Sequence, residues 1–592
     1  MIKVSDYIVN FIKEQGVKDI FLLPGGGCIH IIDSIGKSDL NFICNLHEQA
    51  CSIAAEAYSQ YTNNLGVCLV TSGPGGTNAI TGLASAWLDS IPVLFLSGQV
   101  QSKDMIGARK IRQMGFQELN IIDIVRPITK YAHTVYNPLD IEYHLKQALH
   151  LAKTGRPGPV WLDVPLDIQS AVIDENDLLA LYAIRTRKKT YATDFYTQGI
   201  INSINESTNP VILAGNGIRL SGAVDKFLEL CDVLQIPVLT TWKAADFLEE
   251  DHPLFIGRPG GTGQRGANFA QQNSDLILSI GARLDYGQTA YQPENFAKNA
   301  VKIVVDIDKS EILKLNTNID YAVESDAEVF IETLLNRKDE IKTNCKPWLK
   351  KCKEWQKKYP VVLPEYEKES NVNIYTFVDK LSDMLPENSN IVLGSSGSAS
   401  EITLQAFKVK KGQRIINSPG LGSMGFGLPA AIGVCVASGK KETICIEGDG
   451  SFAMNIQELE TIYRENLPIK IFVLNNNGYA SIRRTQENHF DGRLTACDDT
   501  CGLTLPNIRT NANAYRLDYF RIWNNTELKN TIKRTIESPI SVICEVMISP
   551  NQKIQPRVSV YKKEDGSFAA RPIEDMEPLL DRGEFNENMI NE

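Results

Sequence analysis

The chain has 592 residues, 43% hydrophobic and 22% charged, which is too long for one hydrophobic core and ordinary for a globular protein of several domains. Its formal net charge of −10 argues against the basic face that nucleic acid or an anionic membrane would need. No stretch reads as a signal peptide or reaches membrane-spanning length, and the twelve cysteines include no CxxC pair, so the expectation is a cytoplasmic protein without a structural zinc site.

In chain order, MIKVSDYIVNFIKEQG opens with amphipathic helical spacing. DIFLLP (19–24), NFICNL (41–46), GVCLVTS (66–72) and IPVLFLSG (91–98) follow as short apolar runs ended by glycine, proline or polar residues. Such runs predict buried parallel strands separated by helices. RTRKKTYATD (185–194) is expected to be a linker. The pattern returns in PVILAG (210–215), IPVLTT (236–241), DLILSIG (275–281) and KIVVDID (302–308). KPWLKKCKEWQKKYP (346–360) is expected to cross the surface, and NIVLGS (390–395), ETICIEGDG (442–450), PIKIFVLNN (468–476) and ISVICEV (540–546) supply a third set of strands. The polar tail after Pro550 is expected to wrap over the surface. The reading is an α/β protein of three doubly wound parallel-sheet domains, 1–175, 195–340 and 370–550, with a tail at 551–592. Ligands in such sheets bind past the carboxyl ends of the strands, so the loops there carry the chemistry.

Two of those loops stand out. ETICIE runs into Gly448-Asp449-Gly450-Ser451-Phe452, a helical pattern follows, and the next strand ends in Asn475-Asn476-Asn477-Gly478. Mg²⁺ takes six oxygens and usually keeps phosphate and water among them. Asp449 offers a carboxylate, Asn476 an amide oxygen and Gly478 a backbone carbonyl, while Gly450 and Ser451 offer N–H groups to phosphate at a helix start. A competing reading is an NAD-dependent oxidoreductase: Gly420, Gly422 and Gly425 match GxGxxG, with Glu447 about twenty residues on. Pro419 and a very short preceding strand spoil the strand–turn–helix context that fingerprint requires. Near the amino terminus, NFICNL leads into His47-Glu48 at the start of the helical run ACSIAAEAYSQY. Alone, a glutamate there is ordinary helix-dipole chemistry.

With strand–GDG–helix–strand–NN at this spacing, the sequence resembles the thiamine-diphosphate (ThDP) enzymes. Over about residues 1–550 it is similar to acetolactate synthase large subunits. The resemblance implies pyrimidine-binding, central Rossmann-like and diphosphate-binding domains in that order. It implies ThDP and Mg²⁺, decarboxylation of a 2-oxo acid such as pyruvate, and carboligation to a second carbonyl. Glu48 would face the cofactor's aminopyrimidine, and Asp449, Asn476 and Gly478 would hold the metal. Pro24 and Gly26 lie in the first glycine loop, Asn78 closes TSGPGGTN (71–78), and Gly422 and Met424 would bond the ring through their backbones. Gly394, Ser395, Ser396, Gly450, Ser451 and Tyr479 would line the diphosphate, and Met454 would bend the cofactor. Phe116 and Gln117 would cover the reacting carbon. Two subunits would complete each site, making the protein a homodimer at least, and a homotetramer by family habit. The middle domain is similar to an FAD-binding variant, with Arg156, Gly215, Asn216, Gly217, Thr241, Trp242, Gly260, Gly281, Arg283, Asp285, Asp306 and Asp326 at the flavin positions and the flavin in a structural role.

The sequence also departs from acetolactate synthases. Their Gln-His-Gln-Met-Trp run after the glycine at 394 is replaced by Ser395-Ser396-Gly397-Ser398-Ala399. Their tryptophan near position 485 is Thr485, and Asp285 is followed by Tyr286-Gly287 rather than an acid and an arginine. These changes enlarge the acceptor side of the pocket, where His30 and Ile482 are candidate lining residues. The acceptor is thus open between pyruvate, a nucleotide-linked keto sugar and, for a simple decarboxylase, a proton.

Overall fold

The computed structural model describes residues 1–179, 194–315, 317–394, 397–563 and 565–590. The stretch expected to be a linker therefore lies, but for Asp194, outside the described residues, as do Ser395 and Ser396.

Three six-stranded parallel sheets form the frame. The first holds Asp19–Leu22, Asn41–Cys44, Gly66–Val70, Val93–Gln99, Tyr131–Thr134 and Val160–Pro165, in spatial order 2-1-3-4-6-5. The third holds Asn390–Leu393, Arg414–Ile416, Thr443–Gly448, Ile469–Asn475, Asp518–Ile522 and Val542–Met547, in the same order. Between them lies the sheet of Pro210–Ala214, Val238–Thr240, Phe255–Gly257, Leu276–Ile280, Val301–Asp306 and Tyr321–Glu324, ordered 3-2-1-4-5-6. Each order reverses beside its first strand, and that switch point opens a crevice at the strand ends. Central strands such as Gly66–Val70 are buried along their whole length, as their unbroken apolar runs predict. The edge strands YAHT (131–134), YAVE (321–324) and DYFRI (518–522) escaped the sequence reading because half-solvated edges carry polar residues.

The outer domains share one core. The helix Glu48–Thr62 packs on the helix Gly427–Ala437 so closely that a methyl group at Gly433 would sit 2.2 Å from the Ala54 carbonyl oxygen. Their buried side chains join a single apolar cluster spanning both domains.

Two expectations need correction. The stretch at 346–360 does not cross the surface as an open chain: Lys346–Lys358 is a helix, with Trp348, Cys352 and Trp355 buried against the middle domain. Trp348 Nε1 donates to the Pro210 carbonyl at 3.0 Å. The buried residues recur at i, i+4 and i+7, a helical stripe among lysines. The tail does not merely wrap over the surface. Ile573 and Met576 are buried, Asn268 Nδ2 donates to the Ile573 carbonyl at 2.8 Å, and Arg265 donates to the carbonyls of Met576 and Pro578 at 3.2 and 2.6 Å. Among the described residues, no helix is long and apolar enough to cross a membrane.

Candidate active site

Thr443–Gly448 and Ile469–Asn475 are neighbouring parallel strands, so the turns that follow them meet. Asp449 is 5% exposed. One carboxylate oxygen accepts from Gly450 N at 2.8 Å, and the other accepts from Asn476 N and Gly478 N, both at 3.1 Å. Burial pushes its pKa up to about 6 against those donors. The side-chain oxygen of Asn476 is buried and has no hydrogen-bond partner in the protein. Buried polar atoms are almost always satisfied. An unbonded amide oxygen beside a buried carboxylate is the donor set a hard divalent cation takes, so the residues fit Mg²⁺. Gly478, at φ +145°, presses on the Cys497 carbonyl, which also accepts from Tyr479 N at 2.8 Å.

The neighbouring turn closes this crevice. Ser451 Oγ accepts from Gly425 N at 2.7 Å. A methyl group at Gly450 would meet Tyr479 Cε1 at 2.3 Å and Met424 Cε at 3.4 Å, and one at Gly425 would meet Met454 Cβ at 3.1 Å. Gly422 has φ +65°, which lets the chain double back between Leu421 and Met424. Gly394, Met424, Asp449, Gly450, Ser451, Met454, Asn476, Gly478 and Tyr479 thus gather around one strand-end crevice. Ile482 is exposed on the helix Ala480–His489.

A second cluster forms in the amino-terminal domain. Glu48 is the first residue of its helix and 9% exposed. Asn78 Nδ2 donates to its carboxylate at 3.0 Å, while His47 caps the helix by accepting from Gln49 N at 3.0 Å. The loop of Pro24 and Gly26 is held by Thr71, whose hydroxyl accepts from Gly27 N at 3.0 Å. Sequence reading missed Thr71; the signal was a hydroxyl residue at the start of the second glycine loop. Gln117 is at φ +61° with its carbonyl against Gly73, and Phe116 beside it is 87% exposed. His30 is half-buried, and burial together with Lys3 lowers its pKa. Among the described residues no hydrogen bond joins Glu48 or Asn78 to Asp449, Asn476 or Gly478.

The middle-domain positions divide. Gly215 and Gly217 touch Gly281 across the switch point; a methyl group at Gly215 would sit 2.2 Å from the Gly281 carbonyl oxygen. Thr241 N donates to the Ala214 carbonyl at 2.9 Å, and Trp242 packs toward the third domain. Gly260, at φ +136°, approaches Gly287. Arg156 bridges two domains, paired with Asp308 at 3.2 Å and Glu311 at 2.5 Å. Arg283 pairs with Asp285 at 2.9 Å and donates to the Leu88 carbonyl at 2.9 Å. Asp306, at a strand end, has its pKa raised to about 6 by burial. Asp326 caps the helix Ala327–Leu335. Asn216, Arg219, Lys243 and Arg414 line a cavity of about 150 Å³ where the three domains meet.

Fold and site together define a three-domain α/β protein whose strand-end crevice sets a buried carboxylate, Asp449, with the unbonded amide oxygen of Asn476. Family comparisons agree. The thiamine pyrophosphate enzyme N-terminal binding domain matches residues 2–124, the central domain 197–334 and the C-terminal binding domain 395–546. The chain is 33% identical to an acetolactate synthase large subunit of Lactococcus lactis and 34% identical to one of Cyanidium caldarium, covering 94% of both chains in each case. It is 32% identical to the chloroplastic acetolactate synthase of Arabidopsis thaliana, over 94% of this chain and 83% of that one. This chain belongs to the thiamine-pyrophosphate enzyme family.

Proposed function

We propose that the chain decarboxylates pyruvate and joins the two-carbon unit to a second carbonyl, giving 2-acetolactate when the acceptor is another pyruvate. The observation that carries the metal site is the unpartnered Asn476 amide oxygen beside buried Asp449. Asp449, Asn476 and the Gly478 carbonyl would hold Mg²⁺, with Gly394, Gly450, Ser451 and Tyr479 around the diphosphate. Gly422 and Met424 would meet the aminopyrimidine through their backbones, with Met454 as the prop beneath it. Bound there, ThDP supplies a nucleophilic carbon and an electron sink for the pair released with CO₂. Glu48 would exchange a proton with the aminopyrimidine ring, with Asn78 orienting its carboxyl. Gln117 would donate to the reacting carbonyl oxygen, while Phe116 and the Gly26 loop keep water out.

Among the described residues the Glu48 cluster has no hydrogen bond to Asp449, Asn476 or Gly478 of its own chain, and Phe116 is bare. Both support a homodimer in which each site takes residues from two chains. We also infer FAD as a structural group of the middle domain. Asp306 ends the fifth strand of that sheet, and Asn216 and Arg283 flank the switch point between its first and fourth strands, where dinucleotides are commonly bound. Acid release of a compound absorbing near the flavin maximum tests that assignment.

The function is tested by ¹³C NMR of the protein with ThDP, Mg²⁺ and labelled pyruvate, alone and with a nucleotide-linked 4-keto sugar. Labelled acetolactate from pyruvate alone is expected. Label found only on the sugar, or labelled acetaldehyde, would overturn the acceptor; absence of CO₂ release would overturn the donor.

A further inference from the structure

Glu447 drew notice in the sequence only as a possible ribose partner in an NAD fingerprint, and nothing in the cofactor site above uses it. Its side chain faces inward, 1% exposed, under the crevice. One carboxylate oxygen accepts from Gly427 N at 2.8 Å, and the other accepts from Gly448 N at 3.1 Å. A methyl group at Gly394 would lie 2.2 Å from the second oxygen, and one at Gly427 2.2 Å from the first. Ser451, which accepts from Gly425 N, also bonds this carboxyl.

We propose that Glu447 is the positioning residue that holds the Gly394, Gly422–Gly427 and Gly448–Ser451 turns at the separation the diphosphate and aminopyrimidine need. The inference rests on reading this crevice as the ThDP site. Two segments distant in sequence converge on this side chain, the end of strand Asn390–Leu393 and the start of helix Gly427–Ala437, and it also bonds the turn that follows it, which carries Asp449. The buried N–H of Gly427 and the part-buried N–H of Gly448 depend on it, and a buried donor left unpaired is strongly unfavourable. It also explains why positions 394 and 427 are glycine, since the carboxylate occupies the space a side chain would take. Glu447 touches neither metal nor cofactor and acts through the turns that do.

The test is calorimetric titration of the protein with ThDP in excess Mg²⁺, beside kcat and the KM for ThDP, on wild type, Glu447→Gln and Glu447→Asp. Glutamine keeps the shape but turns an amide donor toward one of the two N–H groups. It is expected to weaken ThDP binding about tenfold, the equivalent of one lost buried hydrogen bond. At saturating ThDP, kcat should stay within about threefold of wild type, with uniform binding rather than chemistry lost. Aspartate, one methylene short, should fall between wild type and an alanine variant. A fall in melting temperature with unchanged Kd and KM for ThDP would reduce Glu447 to a fold-stabilising residue and overturn the proposal. Gly394→Ala supplies a second arm should the glutamine variant misfold. Its methyl group collides with the carboxylate, so its loss of ThDP affinity should be non-additive with Glu447→Ala; simple additivity would overturn the proposal. Failure of wild type to bind ThDP would instead overturn the cofactor reading, and this inference with it.

Discussion

The amino- and carboxyl-terminal sheets share one strand order, 2-1-3-4-6-5, and each opens a crevice between its first and third strands. Their rims differ. The first crevice is edged by Pro24–Gly27 and by Thr71–Gly73, neutral groups tied by the Thr71 hydroxyl. The other is edged by Gly394 and by Glu447–Gly450, with two carboxyls raised by burial to about 7 and 6. The amino-terminal sheet has its own buried acid, Asp163, raised to about 7. Ser97 donates to it at 2.6 Å, with Gln99 and Thr134 at 3.2 and 3.3 Å. Topology therefore makes the crevice, and the side chains at the strand ends decide its charge and its donor set.

The comparison breaks first at Glu48. If the amino-terminal crevice supplies an essential proton, Glu48→Gln lowers kcat by roughly 10²–10⁴-fold while calorimetry still detects ThDP binding. A loss under tenfold would make that crevice a passive wall. Asp163 tests the opposite role, that of a purely structural acid. Its folded pKa lies above the unfolded one, so the folded protein keeps a proton the unfolded chain has released. Stability should fall as pH rises from about 4 to about 7 and level off above. The shift is worth roughly 4 kcal/mol over the whole range, and Asp163→Asn should flatten the decline when urea midpoints are compared at pH 5 and pH 8. At the carboxyl-terminal crevice, Asn476→Ala should weaken Mg²⁺ binding by roughly 10–100-fold, measured as the Mg²⁺ concentration for half-activity, with no change in midpoint of unfolding. The smallest effect is expected at Arg156, a part-exposed bridge to Asp308 and Glu311. Arg156→Met should cost below about 1 kcal/mol of stability, and a larger loss would mark the junction of the first and middle domains as a site of its own.

Much of the site was legible because its signals are local. A buried parallel strand is a continuous apolar run, and the turn after it is the next few residues. That made GDG and NNNG readable as neighbours past two strand ends, and Glu48 readable at a helix start. Less was legible wherever the decisive partner is distant. Arg156 is already bound by two acids some 150 residues away. The lysine-rich helix at 346–358 hid its three-residue apolar stripe, and the tail hid its hold on Arg265 and Asn268.

By itself, then, the sequence determined three α/β units, their central strands and the residue types past the strand ends, because backbone geometry and apolar periodicity act over a few residues. Only the tertiary structure decided that the outer sheets share a core, that the tail belongs to the middle domain, that the Asn476 oxygen is left unbonded and that Glu447 faces inward onto three glycine turns. Each of those depends on which distant segments are packed together, and burial, more than residue type, sets what a carboxyl or an amide can then do.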